Sequence, residues 1–463
     1  MKYIFLFLPP IFVYLTNADP VLSFFISWGS SLLYILLSAS GKIAPLPKDR
    51  KWSAQLFRPF ILSQCLFFGY HSISNVFYFM DTMGYYYFEK TILPVDIHLL
   101  KKLASIQNYV LFAHATYLCG ALPQIKKYNF ASPFKINIKV HYYLIYAIAM
   151  LVTSYILNTT PLALFASYLN ALGTFLALLY AVDAIKNKTH LPFAIVLVCY
   201  LMLNALLSGM KENIILIIIF LMANLYTLYR WKPIALFAPF LAIFFYYYPS
   251  LNNNYRKLAW DEGVSTYDAA SEVLKDDNIQ SLTIEENNWV FLTNRLSEIS
   301  MAVDYFDYVP DRHPYYGFDI IIDGIKLLVP RALFPDKGSP DILAMKRATD
   351  AGAIQLNEND YTSAKPQTLP DAYMSGGLFG VIITFFLFGW LSTRISIWCE
   401  KLFGGYEIGS ILIFQSFFSL FNKGGCFENL IGSLFWSLIL VTCFHLFLKN
   451  KKIIVPKTQN NLK

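Results

Sequence analysis

The sequence predicts an all-α polytopic membrane protein of about twelve transmembrane helices, interrupted once by a large, partly helical external loop. Three observations carry that prediction. The 463-residue chain is 56% hydrophobic and 17% aromatic but only 14% charged, whereas soluble domains carry about 25% charged residues. Its apolar residues gather into twelve stretches, at 3–15, 21–39, 57–80, 103–122, 140–157, 162–185, 191–208, 213–229, 234–249, 376–394, 406–421 and 430–448, most of them near the roughly 20 residues that cross a bilayer. Lysine and arginine collect in alternate connections between these stretches.

That alternation sets a topology. The basic clusters are Lys42, Lys48, Arg50, Lys51 and Arg58; Lys126, Lys127, Lys135 and Lys139; Lys186 and Lys188; Arg230 and Lys232; and Arg394 and Lys401, with Lys449, Lys451, Lys452 and Lys457 in the tail. The intervening short connections hold only Lys90, Lys101, Lys102, Lys211 and Lys423. By the positive-inside rule both termini are expected in the cytoplasm and the insert outside. The domain plan is then helices one to nine over 1–249, the loop over 250–375, helices ten to twelve over 376–448 and a basic tail over 449–463. The first stretch reads as an uncleaved span, although Lys2, the apolar run and Thr16-Asn17-Ala18 also fit a removable leader.

The net charge of +7 is accounted for by loops held against anionic headgroups, so a nucleic-acid partner is not expected. Cys65, Cys119, Cys199, Cys399 and Cys443 lie in or beside apolar stretches and Cys426 in an external connection, which gives neither a disulfide framework nor a metal-ligand spacing. No fixed-period repeat relates the two halves of the chain, which counts against transporters built by duplication.

Within the insert, Asp261, Glu262, Asp268, Glu272, Asp276, Asp277, Glu285 and Glu286 surround one base, Lys275, and mark a solvated half. The second half is richer in bases and apolar residues. Trp289, Leu292, Leu296, Ile299, Val303 and Phe306 recur at three- and four-residue spacing, the stripe of an amphipathic helix. The apolar segment 318–329 is too short to span and is expected at the membrane interface.

Three elements bring cations close to the bilayer. Arg295 and Glu298 share a helix face: they form either an intrahelical ion pair or a fixed guanidinium for a phosphate. In Val329-Pro330-Arg331-Ala332-Leu333-Phe334-Pro335-Asp336-Lys337, two prolines restrict the backbone around Arg331, with Lys337 following; these bases touch either lipid headgroups or a ligand. Lys211, in Ser208-Gly209-Met210-Lys211-Glu212, sits where a helix N-terminus favours anions, or it snorkels. His313, beside Tyr315, Tyr316 and Gly317, is either a base or an ordinary surface histidine.

The order Arg295-Leu296-Ser297, Tyr316-Gly317 and Pro330-Arg331-Ala332-Leu333-Phe334-Pro335-Asp336-Lys337 resembles the oligosaccharide repeat unit polymerases, the Wzy-type O-antigen polymerases. A late span opening at Gly376-Gly377 and the element Gly209-Met210-Lys211 are similar too, with lysine where arginine is usual. The resemblance implies an inverting, GT-C-like membrane glycosyltransferase of the bacterial inner membrane, with its large loop periplasmic. It would join undecaprenyl-diphosphate-linked glycans, donor and acceptor, into O-antigen or a related surface polysaccharide, without metal or cofactor. A chain-length regulator and a flippase are the partners implied. On that reading Arg295, Arg331, Lys211 and Lys337 hold the departing diphosphate, and Glu298, or after it His313, accepts the proton of the attacking hydroxyl; Glu298 alternatively orients Arg295. An O-antigen ligase and a lipid-linked oligosaccharide flippase are the competing functions.

Overall fold

The structure, a computed structural model, describes residues 3–16, 19–43, 46–49, 55, 58–87, 89–91, 95–126, 132–137, 141–160, 163–207, 211–256, 258, 283–329, 338–354, 364–406, 408–409, 412, 417 and 425–457. It is an all-α membrane protein. Among the described residues, five helices are long and apolar enough to cross a bilayer: Pro20–Ala39, Phe165–Asn187, Lys232–Leu251, Thr368–Leu402 and Phe427–Asn450.

Twelve spans are therefore not what the helices support, and the reasons differ by segment. Ile4–Thr16, His141–Leu157, Leu191–Ala205 and Ile214–Tyr226 are apolar but have 10–17 residues, short of the roughly 20 that cross a bilayer. The stretch 57–80 is broken into Pro59–Ser63, a π-helical segment Gln64–Ile73, and Asn75–Thr82. Stretch 103–122 lies inside a 30-residue helix, Ile97–Lys126, which carries Lys101, Lys102, Gln107, Asn108 and His114 and is a core helix rather than a purely apolar span. Most of 406–421 falls outside the described residues.

The chain divides into two compact units. The first comprises Met1–Ile136, Leu292–Leu356 and Thr362–Lys463. At its centre Thr368–Leu402 packs along Ile97–Lys126, and Pro20–Ala39 covers the latter from another side. The two central backbones nearly touch. A Cβ on Gly120 would lie 2.2 Å from the Phe386 carbonyl oxygen, and one on Gly389 would lie 2.0 Å from that of Tyr117, so only glycine permits this crossing, as at small-residue contacts between membrane helices. Asp19 starts Pro20–Ala39 by accepting from the Val21 and Leu22 amides at 2.9 and 3.2 Å, with Pro20 in the first helical turn, a combination that satisfies free amides without wasting one. Strand Phe134–Ile136 pairs antiparallel with Ile454–Pro456, tying down the tail.

Polar side chains line the inside of this unit and satisfy one another, as low-polarity surroundings demand. Asn75 Nδ2 donates to Gln107 Oε1 at 2.8 Å, and Gln107 Nε2 donates to Ser72 Oγ at 3.0 Å. His114 Nδ1 pairs with Ser31 Oγ at 2.7 Å while its ring stacks on Phe68.

The second unit, Asn137–Phe291 with Asn357–Tyr361, is a run of helices each packed on its neighbour in sequence: His141–Leu157, Ala163–Asn187, Leu191–Leu207, Lys211–Tyr229 and Lys232–Arg256. Its core includes Phe175 set edge-on to Phe220 and a small-residue cluster of Ala181, Ala184 and Ala194.

The second half of the insert is helical. Thr283 opens Ile284–Val290 with a full capping box closed by Glu286, and the chain continues as the π-helical Phe291–Leu296, then Ile299–Tyr308, Asp319–Lys326 and Pro340–Asp350. The acidic first half is almost entirely outside the described residues. The expected stripe is present, with Trp289, Ile299 and Val303 buried, but the helix is interrupted between its members. Ser74 Oγ bonds the Leu296 carbonyl at 3.1 Å and Ser297 Oγ bonds Asn75 Oδ1 at 3.2 Å. A neighbouring helix thus takes bonds that an unbroken helix would use internally. Asp319–Lys326 is strongly amphipathic: Ile320 and Gly324 are buried, Gly324 directly against Ile431 of Phe427–Asn450, whereas Phe318, Ile322 and Ile325 are exposed.

Candidate functional site

The two π-helical segments, Gln64–Ile73 and Phe291–Leu296, meet through the serine bonds just described. π-Helices are rare and are frequent at functional sites, and here they lie beside one narrow cleft in the first unit. Its polar lining is His71, Asn75, Glu298, Tyr305, Lys365 and Gln367. Glu298 occupies the N-cap position of Ile299–Tyr308 yet makes no side-chain cap bond. Its carboxylate turns instead to Tyr70, whose hydroxyl donates to Oε1 at 2.9 Å. That bond fixes one oxygen of a carboxylate that lines the cleft. Lys365, in the same lining, has its ammonium paired with Asp341 at 2.5 Å.

Behind the cleft lies a buried ion cluster. Arg347 Nη2 donates to both oxygens of Asp371 at 3.1 and 3.2 Å and to Glu428 Oε2 at 2.9 Å, and its Nη1 donates to Glu428 Oε1. Both carboxylates are wholly buried. Asp371 also accepts the Phe427 amide at 2.8 Å. Burial opposes the Arg347 charge, but Asp371 and Glu428 outweigh it and raise its pKa above the ordinary arginine value. The Arg347 Nε has no hydrogen-bond partner among the described residues, nor do the hydroxyl of Tyr305 and the side-chain oxygen of Gln367. Tyr305 is 1% exposed and joins cleft to cluster: burial first, then the charge of Asp371, holds its phenol far above the usual range.

Past the cleft, Gly377 breaks Thr368–Leu402 with φ 59° and ψ −142°, a region essentially reserved for glycine. A Cβ there would also lie 2.9 Å from the Tyr315 hydroxyl. Around the break, Tyr109, Phe306, Tyr373 and Tyr315 form an aromatic group, with Phe306 stacked on Tyr373 at 3.6 Å.

The residues singled out from sequence are distributed unevenly. Glu298 lies in the cleft. Arg295 is exposed on the last turn of Phe291–Leu296, one turn of chain before it. His313 is stacked between Tyr308 and Tyr316, at 5.5 and 4.3 Å, with Nδ1–H donated to the Pro314 carbonyl at 2.6 Å; it is not in the described cleft lining. Lys211 begins the helix Lys211–Tyr229 of the second unit, and its side chain is outside the described residues, as are Arg331 and Lys337 altogether. Sequence reasoning passed over Tyr70, His71, Tyr305, Lys365, Gln367 and the Arg347–Asp371–Glu428 cluster. A signal existed for the last: Asp371 and Glu428 both precede apolar stretches by a few residues, and acids so placed require a partner. Among the described residues no three His, Cys, Asp or Glu side chains gather as metal ligands would.

No significant similarity to a curated protein or to a solved structure is found. A family described as a domain of unknown function, DUF8712, matches residues 8–456, nearly the whole chain, and the protein belongs to that family.

Proposed function

We propose that this protein is a membrane glycosyltransferase that polymerises polyprenyl-diphosphate-linked repeat units into O-antigen or a related surface polysaccharide. One observation carries the reading: Glu298, bonded by the Tyr70 hydroxyl, lines a cleft that also holds His71, Tyr305, Lys365 and Gln367. The finer architecture belongs to the same reading, namely a GT-C-like layout in a bacterial inner membrane, both termini cytoplasmic and residues 250–375 periplasmic, with a chain-length regulator and a flippase as partners.

The chemistry follows from the residues. An acceptor sugar hydroxyl attacks the anomeric carbon of the donor glycan; the new C–O bond forms as the anomeric C–O bond to diphosphate breaks with inversion. Glu298, held by Tyr70, accepts the hydroxyl proton. Polyprenyl diphosphate leaves with the electron pair, and preorganised cations stabilise its growing charge more in the transition state than in the ground state. Lys365, on the cleft wall, takes that part together with Arg295, Arg331 and Lys337.

Deletion of the gene tests the reading. A polymerase deletion leaves lipopolysaccharide capped with a single repeat unit, whereas loss of all O-antigen points to a ligase or flippase, and an unchanged ladder refutes all three. Polymer formation by the purified protein survives chelation; complete loss restored by one specific divalent metal contradicts a metal-independent mechanism.

A further inference from the structure

Buried polar groups are nearly always satisfied, and each exception calls for an account. Two exceptions share one cleft. Tyr305 and Gln367 both line it, and the Tyr305 hydroxyl and Gln367 side-chain oxygen are sealed from solvent without a partner among the described residues. We infer that these two atoms are the recognition pair for a sugar hydroxyl of the acceptor glycan, a neighbour of the attacking hydroxyl that Glu298 in the same cleft deprotonates.

The complementarity is chemical. A hydroxyl group both accepts and donates. Tyr305 supplies an O–H to donate and Gln367 a carbonyl oxygen to accept, the two halves of what a sugar hydroxyl, or a pair of neighbouring hydroxyls on one ring, requires. At this pair of atoms a phosphate fits less well, because it brings acceptors only where the Gln367 oxygen asks for a donor. A purely apolar ligand leaves both atoms as unpaired as before, at the full desolvation cost. Tyr305 is held rigidly for this role: its ring is fully buried on Ile299–Tyr308. A site built this way discriminates strongly against a ligand lacking the hydroxyl.

The identity of the sugar as acceptor rests on the glycosyl-transfer reading; the pairing rests on the two orphaned atoms. The test uses full-length protein in nanodiscs, titrated with the host's repeat-unit oligosaccharide after mild acid has freed it from its lipid, and read by saturation-transfer NMR. Tyr305→Phe and Gln367→Leu are each expected to weaken binding by about tenfold, the value of one lost hydrogen bond, with an unchanged or raised melting temperature, since neither removes a bond within the protein. Wild-type affinity in both variants overturns the pairing while leaving glycosyl transfer intact wherever the wild-type protein still makes polymer, and so does absence of binding to a wild-type protein that makes polymer. A lowered melting temperature in Tyr305→Phe overturns it too, because the hydroxyl then has a structural partner. A wild-type protein that neither binds the oligosaccharide nor alters the polysaccharide on deletion removes both readings together.

Discussion

Two buried arginines clamp the two ends of the same helix, and they are finished differently. Near the end of Thr368–Leu402, Arg58 meets Glu400 and Asp49, and every one of its five N–H donors is placed: Nε and one Nη2 proton on Glu400, the other Nη2 proton and one Nη1 proton on Asp49, and the last on Gln55. Tyr406 covers the guanidinium at 5.0 Å. Near the start of the helix, Arg347 meets Asp371 and Glu428, but among the described residues its Nε has no partner, nor do atoms of Tyr305 and Gln367. The hollow beside Arg58 includes Ser396, whose hydroxyl also lacks a partner among the described residues, but its arginine and acids are spent on one another. The same ion-pair chemistry therefore closes one end of the helix and leaves the other with hydrogen-bonding capacity facing a cleft. Closure marks a structural clamp; the open end is where we place the chemistry.

Substitutions at the two arginines press hardest on that contrast. Arg347→Met leaves Asp371 and Glu428 buried without compensation and is expected to cost about 3–5 kcal/mol, read as a large fall in melting temperature in detergent. Arg58→Met follows, at about 3 kcal/mol or less, because Asp49 retains 18% exposure and water shares its charge. Equal losses at both ends would erase the difference in burial on which the ordering rests. Gly377→Ala comes next, at about 1–3 kcal/mol for the left-handed backbone alone. Combining it with Tyr315→Phe recovers only the steric part, so full recovery in the double variant would show that the backbone is not held in that conformation.

The smallest expected effect is a titration beside the cleft. Burial, then the charge of neighbouring Asp307, raises the pKa of Asp304. A carboxyl whose folded pKa is raised stabilises fully below its unfolded value, about 3.9, and that contribution is lost as pH rises through the folded value. Asp304→Asn should thus melt slightly higher than the wild type at neutral pH and match it below about pH 4. A gap that widens on acidification would reverse the sign.

The sequence disclosed the open end only in part, for physical reasons. Hydropathy found the apolar helices but overcounted crossings, since Ile97–Lys126 looks like a span by its apolar residues while Gln107, Asn108 and His114 pair inside the unit. Periodicity found the stripe through Trp289 and Val303 and placed Glu298 beside it, yet it has no means of reporting that Ser74 and Asn75 would draw the chain out of helix at Leu296 and Ser297. The ion cluster was the hardest to see: Arg347, Asp371 and Glu428 are brought together by tertiary packing, and their spacing in the chain carries no period. Arg295 read as prominently as Glu298, with His313 after them, because a lone charged or aromatic residue looks the same in a cleft and on a surface.

Glu298→Gln and Glu400→Gln, compared side by side in the deletion strain at matched protein levels, test the central claim most directly. Glu298→Gln is expected to leave single-repeat lipopolysaccharide with an unchanged melting temperature, and Glu400→Gln to restore the long-chain ladder with a lowered one. A full ladder from Glu298→Gln, or its loss in Glu400→Gln alone, would contradict the assignment of chemistry to the open end and structure to the closed one.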